Sequence, residues 1–365
     1  MLLLAIRARK PWCHDAFTSL FKIVTMEIEC LPSPLDDKSL WYAHEFTHPR
    51  TYILKLDETM RREIIEAAHS AESARLAPTS LTPLTVHLPS MRGLMDDVLD
   101  ILELGRGFVV LRAIPVTDLT RQGRLHAIAG ISRHLGELVS QNAQRSKVET
   151  ITDNQQPLNE HSRGYGDTRG LPFHTDGSDY VALLCVARAH EGGESLLASA
   201  AAAYEAIRHE RPDLLRVLEC GLYHHRRAEQ PEGEPPILRE RQPVFRIVDG
   251  RMHAFYNRNA PEWLEKEGII TTEAEIQAQN YLDAIFQRPA IKLRMILEAG
   301  DRQLLNNYTI VHARAPYRDT SNTRRQMLRA WIRSQAALRG GPNIIDVYAP
   351  WESRRMLPAD RTSQS

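Results

Sequence analysis

The sequence predicts an α+β protein with a mainly β core: a sandwich or barrel of short strands, with helices packed outside it. Three observations carry this expectation. Strand-like runs outnumber helical runs in the second half of the chain. Those runs are short, which fits a sandwich or barrel better than a doubly wound parallel sheet. Apolar residues make up 42% and charged residues 25%, the balance of a soluble globular protein, and 365 residues suffice for one large domain or two small ones.

The elements follow in order. Residues 1–25 begin with six apolar residues, then Arg7, Arg9 and Lys10. That run is too short for a signal-peptide core, and its charge follows instead of preceding it. The segment reads either as a weak targeting stretch, with Asp15 its one acid, or as an extension ahead of a natural start at Met26. A helical pattern covers Glu58 to Leu76 with Asp57 as its N-cap, and a second covers Met91 to Leu104, ended by Gly105 and Gly107. Phe108 to Leu111 reads as a buried strand and Thr120 to Gly136 as a helix. Strands are expected at Lys147 to Thr152, Tyr180 to Arg188 and Ser195 to Ser199, then helices at Ala200 to Ile207 and Pro212 to Leu218.

Residues 224–243 are rich in Arg, Glu and Pro without periodicity. They read as a mobile surface loop and a candidate lid. Val244 to Ile247 and Met252 to Tyr256, joined by Asp249-Gly250, form a hairpin pattern. Thr272 to Leu297 carries one or two helices interrupted at Pro289, and the last strands are Gln303 to Asn307 and Gln326 to Ile332. The expected division is a segment over 26–104 packing on a core of 105–335, with a tail over 336–365.

Charge and cysteine usage narrow the function classes. Lys plus Arg equals Asp plus Glu, 46 against 46, so no overall field draws the chain to nucleic acid or an anionic membrane. No run approaches the roughly 18 apolar residues of a membrane span. Cys13, Cys30, Cys185 and Cys220 form no CxxC pair, which suits a reducing cytoplasm. Cys185, within an apolar run, reads as a small buried hydrophobe. The expected partner is a small-molecule substrate; assembly into a homo-oligomer stays open.

The chemistry concentrates in Leu171-Pro172-Phe173-His174-Thr175-Asp176-Gly177. On extended chain, residues two apart point to the same side, so His174 and Asp176 can share a metal. With 15 histidines, about one such pairing arises by chance at ordinary Asp usage. His312, placed just after an apolar strand, supplies a third ligand. Nitrogen and oxygen donors without a thiolate suit iron(II), manganese or zinc, and two His with one carboxylate make the facial triad of non-haem iron oxygenases. Along Thr323 to Ile332, Arg325, Met327, Arg329 and Trp331 share one face, and Leu328, Ala330 and Ile332 the other. An inward-facing arginine needs a partner, and a dicarboxylate supplies one that guanidinium grips bidentately. A zinc hydrolase could use the same His2Asp set, but it has no evident use for both arginines. A binding module without turnover is a second alternative, opposed by the intact triad and arginine strand.

Together, His174, Asp176, His312 and Arg324-Arg325-Gln326-Met327-Leu328-Arg329 resemble the taurine dioxygenase (TauD/TfdA-like) family. So do Gly192-Gly193-Glu194-Ser195, Gln242-Pro243-Val244-Phe245-Arg246 and Leu304-Leu305-Asn306-Asn307. The likeness covers roughly residues 105–335. It implies a double-stranded β-helix (jelly-roll, cupin-like) core and an Fe(II)/2-oxoglutarate-dependent dioxygenase using O2. It also implies that Arg325 and Ser195 bind the 2-oxoglutarate, with Arg329 near both cosubstrate and substrate. Gln141 and Asn142 fall where the family places a substrate-side residue, and Gln141 stands where a taurine enzyme has His. Phe173, Tyr256, Asn257 and Arg258 are further substrate-pocket candidates. Asp176 is the carboxylate that halogenating relatives lack. The implied reaction is hydroxylation of a C–H bond of a small carboxylated or amino-acid-like molecule, releasing succinate and CO2. Desaturation, epoxidation and oxidative cyclisation are alternatives at the same site.

Overall fold

The computed structural model describes residues 35–334, apart from 36, 143, 155–163, 165, 228, 229, 231, 232, 239 and 249. The expectations for 1–25 and 336–365 lie outside the described residues. Beyond Leu35 the described residues belong to one compact unit.

Strand β1 (Ile53–Lys55) leads into helices α1 (Glu58–Ser73) and α2 (Arg92–Glu103). Then come β2 (Phe108–Arg112), α3 (Arg121–Arg133), β3 (Gly136–Val139), β4 (Val148–Ile151), β5 (Leu171–His174), β6 (Tyr180–Ala187), β7 (Glu191–Gly192) and β8 (Ser195–Ser199). Helices α4 (Ala200–Glu210) and α5 (Pro212–Cys220) precede the hairpin of β9 (Phe245–Val248) and β10 (Arg251–Ala254). Helices α6 (Pro261–Glu265) and α7 (Glu273–Gln287) follow. The chain ends its described part with β11 (Leu293–Met295), β12 (Arg302–Asn306), β13 (Ile310–Arg314), β14 (Tyr317–Arg318) and β15 (Gln326–Ser334).

Two sheets organise these strands. The larger runs β1-β2-β12-β6-β15-β3, with β4 also paired to β15; the smaller runs β11-β8-β13-β5. Strand alternation explains why both faces of the large sheet read as buried. Val109, Leu111, Ala182, Leu184, Leu328, Ala330 and Ile332 point to a cluster shared with Ile64, Ala68, Met95 and Val98 of α1 and α2 and with Ile128 of α3. Their neighbours Phe108, Val110, Val181, Cys185, Met327 and Trp331 point the other way, onto Leu197, Met295 and Ile310 of the small sheet. The layers are therefore helices, large sheet and small sheet. Each fully buried Leu or Ile in them contributes about 1.5–3 kcal/mol relative to an exposed one.

Caps set the helix starts. Asp57 accepts a hydrogen bond from the Met60 amide, Thr120 from Gly123, and Thr272 from Glu275. Among the described residues no helix is long and apolar enough to cross a membrane.

Four expectations are corrected. The helix expected to reach Gly136 stops at Arg133, and Gly136 opens β3, because glycine gives little to a helix and Leu138 and Val139 pack in strand alternation. The helix expected to resume after Pro289 does not: Arg288 is extended (ψ 134°), as a residue before proline tends to be, and Leu293–Met295 pair with β8 instead. His312 lies inside β13, not after a strand. Residues 224–243 were expected at the surface; instead His224, His225, Arg227, Ile237 and Leu238 are buried, and bridges Leu222↔Gln242 and His225↔Ile237 draw the segment into a narrow hairpin. Its apolar side chains and the packing of His224 on Phe255 (ring centroids 4.6 Å) anchor it. The lid expectation falls partly on residues outside the described set.

Candidate metal and cosubstrate site

Strand pairing builds the centre. In the antiparallel β5–β13 pair, His174 and His312 are direct cross-strand partners, which brings such side chains within contact; their ring centroids are 4.4 Å apart. Asp176 lies just beyond β5, where Thr175 is tied to Tyr256 by its amide (2.7 Å to the Tyr256 carbonyl). Asn307 clamps the backbone of Asp176 from both sides: its Oδ1 accepts from the Asp176 amide at 2.9 Å and its Nδ2 donates to the Asp176 carbonyl at 2.6 Å. The carboxylate then sits 3.6 Å from His174 Nε2 and 3.7 Å from His312 Nε2. One donor atom from each of the three residues lies within 4.8 Å of the others.

Electrostatics prepare these groups to bind a cation. Burial alone would raise the Asp176 carboxyl, but Arg329 and the two imidazoles outweigh it and hold the carboxyl well below the usual range. Burial, with His174 close by, lowers His312 and favours its neutral, metal-binding form. His174 Nδ1 lies 2.8 Å from the Pro172 carbonyl; donating there leaves Nε2 as the free lone pair. Trp331 Nε1 donates to Asp176 Oδ2 at 2.9 Å, and Arg329 Nη1 lies 3.4 Å from the same oxygen. Two nitrogens and one carboxylate oxygen, the three donors gathered among the described residues, fit iron(II).

Two cavities share His174 and Asp176. The first is lined by His174, Asp176 and His312 together with Ser195, Arg314, Arg325 and Arg329. Arg325 is buried, its guanidinium lies 5.3 Å from the Tyr317 ring, and its Nη1 has no hydrogen-bond acceptor among the described residues. A buried guanidinium donor of that kind fits an oxyanion. Ser195 Oγ, on the same cavity wall, is 2.9 Å from Gln303 Nε2. The second cavity shares His174, Asp176 and Arg329 with the first, and is also lined by Phe173, Asn257 and Arg258 with Arg227, Asn259, Trp263 and Asp283.

The structure thus brings His174, Asp176, His312, Ser195, Arg325 and Arg329 together. Phe173 and Arg258 border the second cavity; Tyr256 is buried behind it, its hydroxyl 2.7 Å from Asp283 Oδ1. Gln141 and Asn142 line neither cavity. Gln141 Oε1 accepts from Arg329 Nε at 2.7 Å while its Nε2 donates to the Arg329 carbonyl at 2.9 Å. Asn142 donates to Glu149 Oε1 at 2.7 Å and holds a turn to Ser146. Sequence reasoning missed Arg227, Trp263 and Asp283. The polar run Asn257-Arg258-Asn259 beside a strand was a partial signal; the aperiodic segment holding Arg227 offered none.

Comparison with known proteins agrees with this geometry. The profile of the taurine catabolism dioxygenase TauD, TfdA family matches residues 73–331. The chain is 33% identical over 313 residues to FR-33289 synthase of Streptomyces rubellomurinus (strain ATCC 31215), covering 84% of this chain and 92% of that one. Its fold is that of an asparagine oxygenase solved with Fe(II), 2S,3S-3-hydroxyasparagine and succinate (TM-score 0.59, 18% identity, 77% and 93% of the two chains). It is also that of the non-heme iron oxygenase OrfP solved with Fe and alpha-ketoglutaric acid (TM-score 0.55, 17% identity, 78% and 95%). The chain belongs to the TauD/TfdA family of Fe(II)/2-oxoglutarate-dependent dioxygenases.

Proposed function

We propose that this enzyme hydroxylates a C–H bond of a small carboxylated or amino-acid-like molecule, with His174, Asp176 and His312 holding iron(II). The observation that carries this reading is the meeting of the triad and the buried Arg325 donor in one cavity. On this reading the two facing sheets are the halves of a double-stranded β-helix. When bound, iron(II) and 2-oxoglutarate supply the oxidising power: O2 is reduced as the oxoacid loses CO2 to become succinate, and the substrate carbon is oxidised.

The chain's own residues do the rest. Arg325 neutralises the far carboxylate of the cosubstrate, and Ser195 offers it a hydroxyl. Arg329, fixed by Gln141, keeps Asp176 ionised and closes the wall between the two cavities. Apolar Val181, Leu183 and Leu305 line the cosubstrate side and exclude water from it. Phe173, packed on Phe286 at 5.2 Å, forms part of the wall on which the substrate rests. Hydroxylated products of the asparagine and arginine type in the solved relatives support an amino-acid-like substrate.

Arg325→Ala tests the assignment. It should weaken 2-oxoglutarate binding by about 2 kcal/mol or more, the loss expected of a charge-assisted pair, with iron affinity nearly unchanged. Equal losses of both would sink it.

A further inference from the structure

A buried amide, Gln303, lines the same cavity as Ser195 and Arg325, and only 2% of the residue is exposed. It comes from β12, where it pairs with Val110 of β2 on one side and Leu183 of β6 on the other. Cross-strand partners share a face of a sheet, and so does Leu305, two residues further along β12. That face is turned to the small sheet, and Val110, Leu183 and Leu305 all pack in the apolar cluster between the two. An amide among such side chains must find its hydrogen bonds at close range or go without them.

The amide touches the small sheet at a single rung, because Ser195 of β8 and Met295 of β11 are cross-strand partners. Nε2 lies 2.9 Å and Oε1 3.0 Å from one atom, Ser195 Oγ. Nε2 also lies 3.0 Å from Met295 Sδ. A primary amide has two N–H donors and a carbonyl acceptor, which point apart. One hydroxyl therefore aligns well with an N–H or with the carbonyl, not with both. The other N–H meets a thioether, a weak acceptor. Gln303 thus keeps donor capacity that no oxygen among the described residues fully takes up. Arg325 Nη1, also without an acceptor there, belongs to the same cavity. The carboxylates of this wall are Asp176, at the metal end, and Glu194, which faces Arg294 at 3.3 Å.

We propose that Gln303 is a further cosubstrate-binding residue, whose Nε2 donates to the far carboxylate of 2-oxoglutarate beside the Arg325 guanidinium and the Ser195 hydroxyl. The proposal rests on the dioxygenase reading, which puts that carboxylate at Arg325. A carboxylate has about four acceptor sites, so one charged and two neutral donors fit it without excess charge. This accounts for an amide at a strand position surrounded by Val110, Leu183 and Leu305. An apolar side chain would suit the packing there but would leave the bound carboxylate one donor short.

The test uses the full chain, anaerobic and loaded with Fe(II), with 2-oxoglutarate titrated in and binding read by calorimetry. Gln303→Met keeps the length of the side chain and removes the donor. It should weaken 2-oxoglutarate about tenfold or more, with iron affinity unchanged. The same loss should persist in a Ser195→Ala background, because the amide acts on the cosubstrate directly. Gln303→Glu keeps the shape but sets a carboxylate against a carboxylate, so it should weaken 2-oxoglutarate more than Gln303→Met does. Should Gln303→Met fail to fold, Gln303→Leu gives the same reading. The proposal is overturned if the donorless variant binds 2-oxoglutarate as tightly as the unaltered protein. It is overturned equally if the loss vanishes in the Ser195→Ala background, which would make Gln303 a prop for Ser195, or if Gln303→Glu is the milder change, which would make its role one of packing. Failure of the cosubstrate reading would appear separately, as no binding of 2-oxoglutarate to the unaltered iron-loaded protein.

Discussion

Asp176 carries three duties at once: it faces both imidazoles, accepts from Trp331 and pairs with Arg329. Its neighbours therefore matter as much as the triad itself. Gln141 is the clearest case, since one side-chain amide both accepts from and donates to Arg329 and also donates to the Lys147 carbonyl at 3.1 Å. Gln141→Leu should cost about 1–3 kcal/mol of stability, because it strands a buried guanidinium donor and a carbonyl; urea denaturation at neutral pH measures it, and a loss below a few tenths would show that Arg329 finds another partner. At this scale the sequence was readable where chemistry and spacing coincide, as for His174, Asp176 and the alternating Arg325 and Arg329. Gln141 was expected on the substrate side because the family resemblance places a residue there, but a resemblance does not say which way an amide turns. Arg227 and Trp263 were unreadable for a related reason: an aperiodic hairpin and a five-residue helix take their places from tertiary contacts alone.

Among the elements, the short β5–β13 pair makes the imidazole dyad, and β15 brings Arg329 and Trp331 to Asp176 with Arg325 one residue before its start. The alternation of β15 was visible in the sequence; the pairing of β5 with β13 was not, since nothing local names a strand's partner. A smaller pair seats Arg325, the arginine proposed to hold the cosubstrate. β7 and β14 align Gly192 with Tyr317, whose ring lies against both Arg325 (5.3 Å) and Arg314 (4.9 Å). Gly192 has φ of 74°, and a Cβ there would lie 2.2 Å from the Pro316 carbonyl oxygen. Gly192→Ala should thus pull β7 from β14, lowering stability by about 1–3 kcal/mol and weakening 2-oxoglutarate more than iron. Thermal unfolding with ligand titration checks both, and unchanged cosubstrate affinity would separate this pair from the site.

For the whole molecule, the three layers bury the centre, and burial also makes the fold sensitive to acid. His224 is fully enclosed against Phe255, and burial, with Arg227 nearby, pushes its pKa down from 6.5 to about 3. As pH falls below 6.5 the unfolded chain takes up a proton that the folded chain refuses, so stability present above 6.5 is lost progressively toward pH 3. At pH 5 this residue alone accounts for about 2 kcal/mol. His224→Leu should lose correspondingly less between pH 7.5 and 5 in urea denaturation; an equal loss would move the acid sensitivity elsewhere. The layered β core with outer helices was legible from strand alternation, whereas the buried hairpin carrying His224 was hidden by its polar composition. The dioxygenase reading requires His174, Asp176 and His312 to hold iron(II) beside a 2-oxoglutarate anchored by Arg325. The most direct measurement is the visible spectrum of the anaerobic, iron(II)-loaded protein as 2-oxoglutarate is added. A weak metal-to-ligand charge-transfer band should grow in and saturate, and it should be absent from Asp176→Ala; a folded, iron-loaded protein that shows no such band would contradict the account.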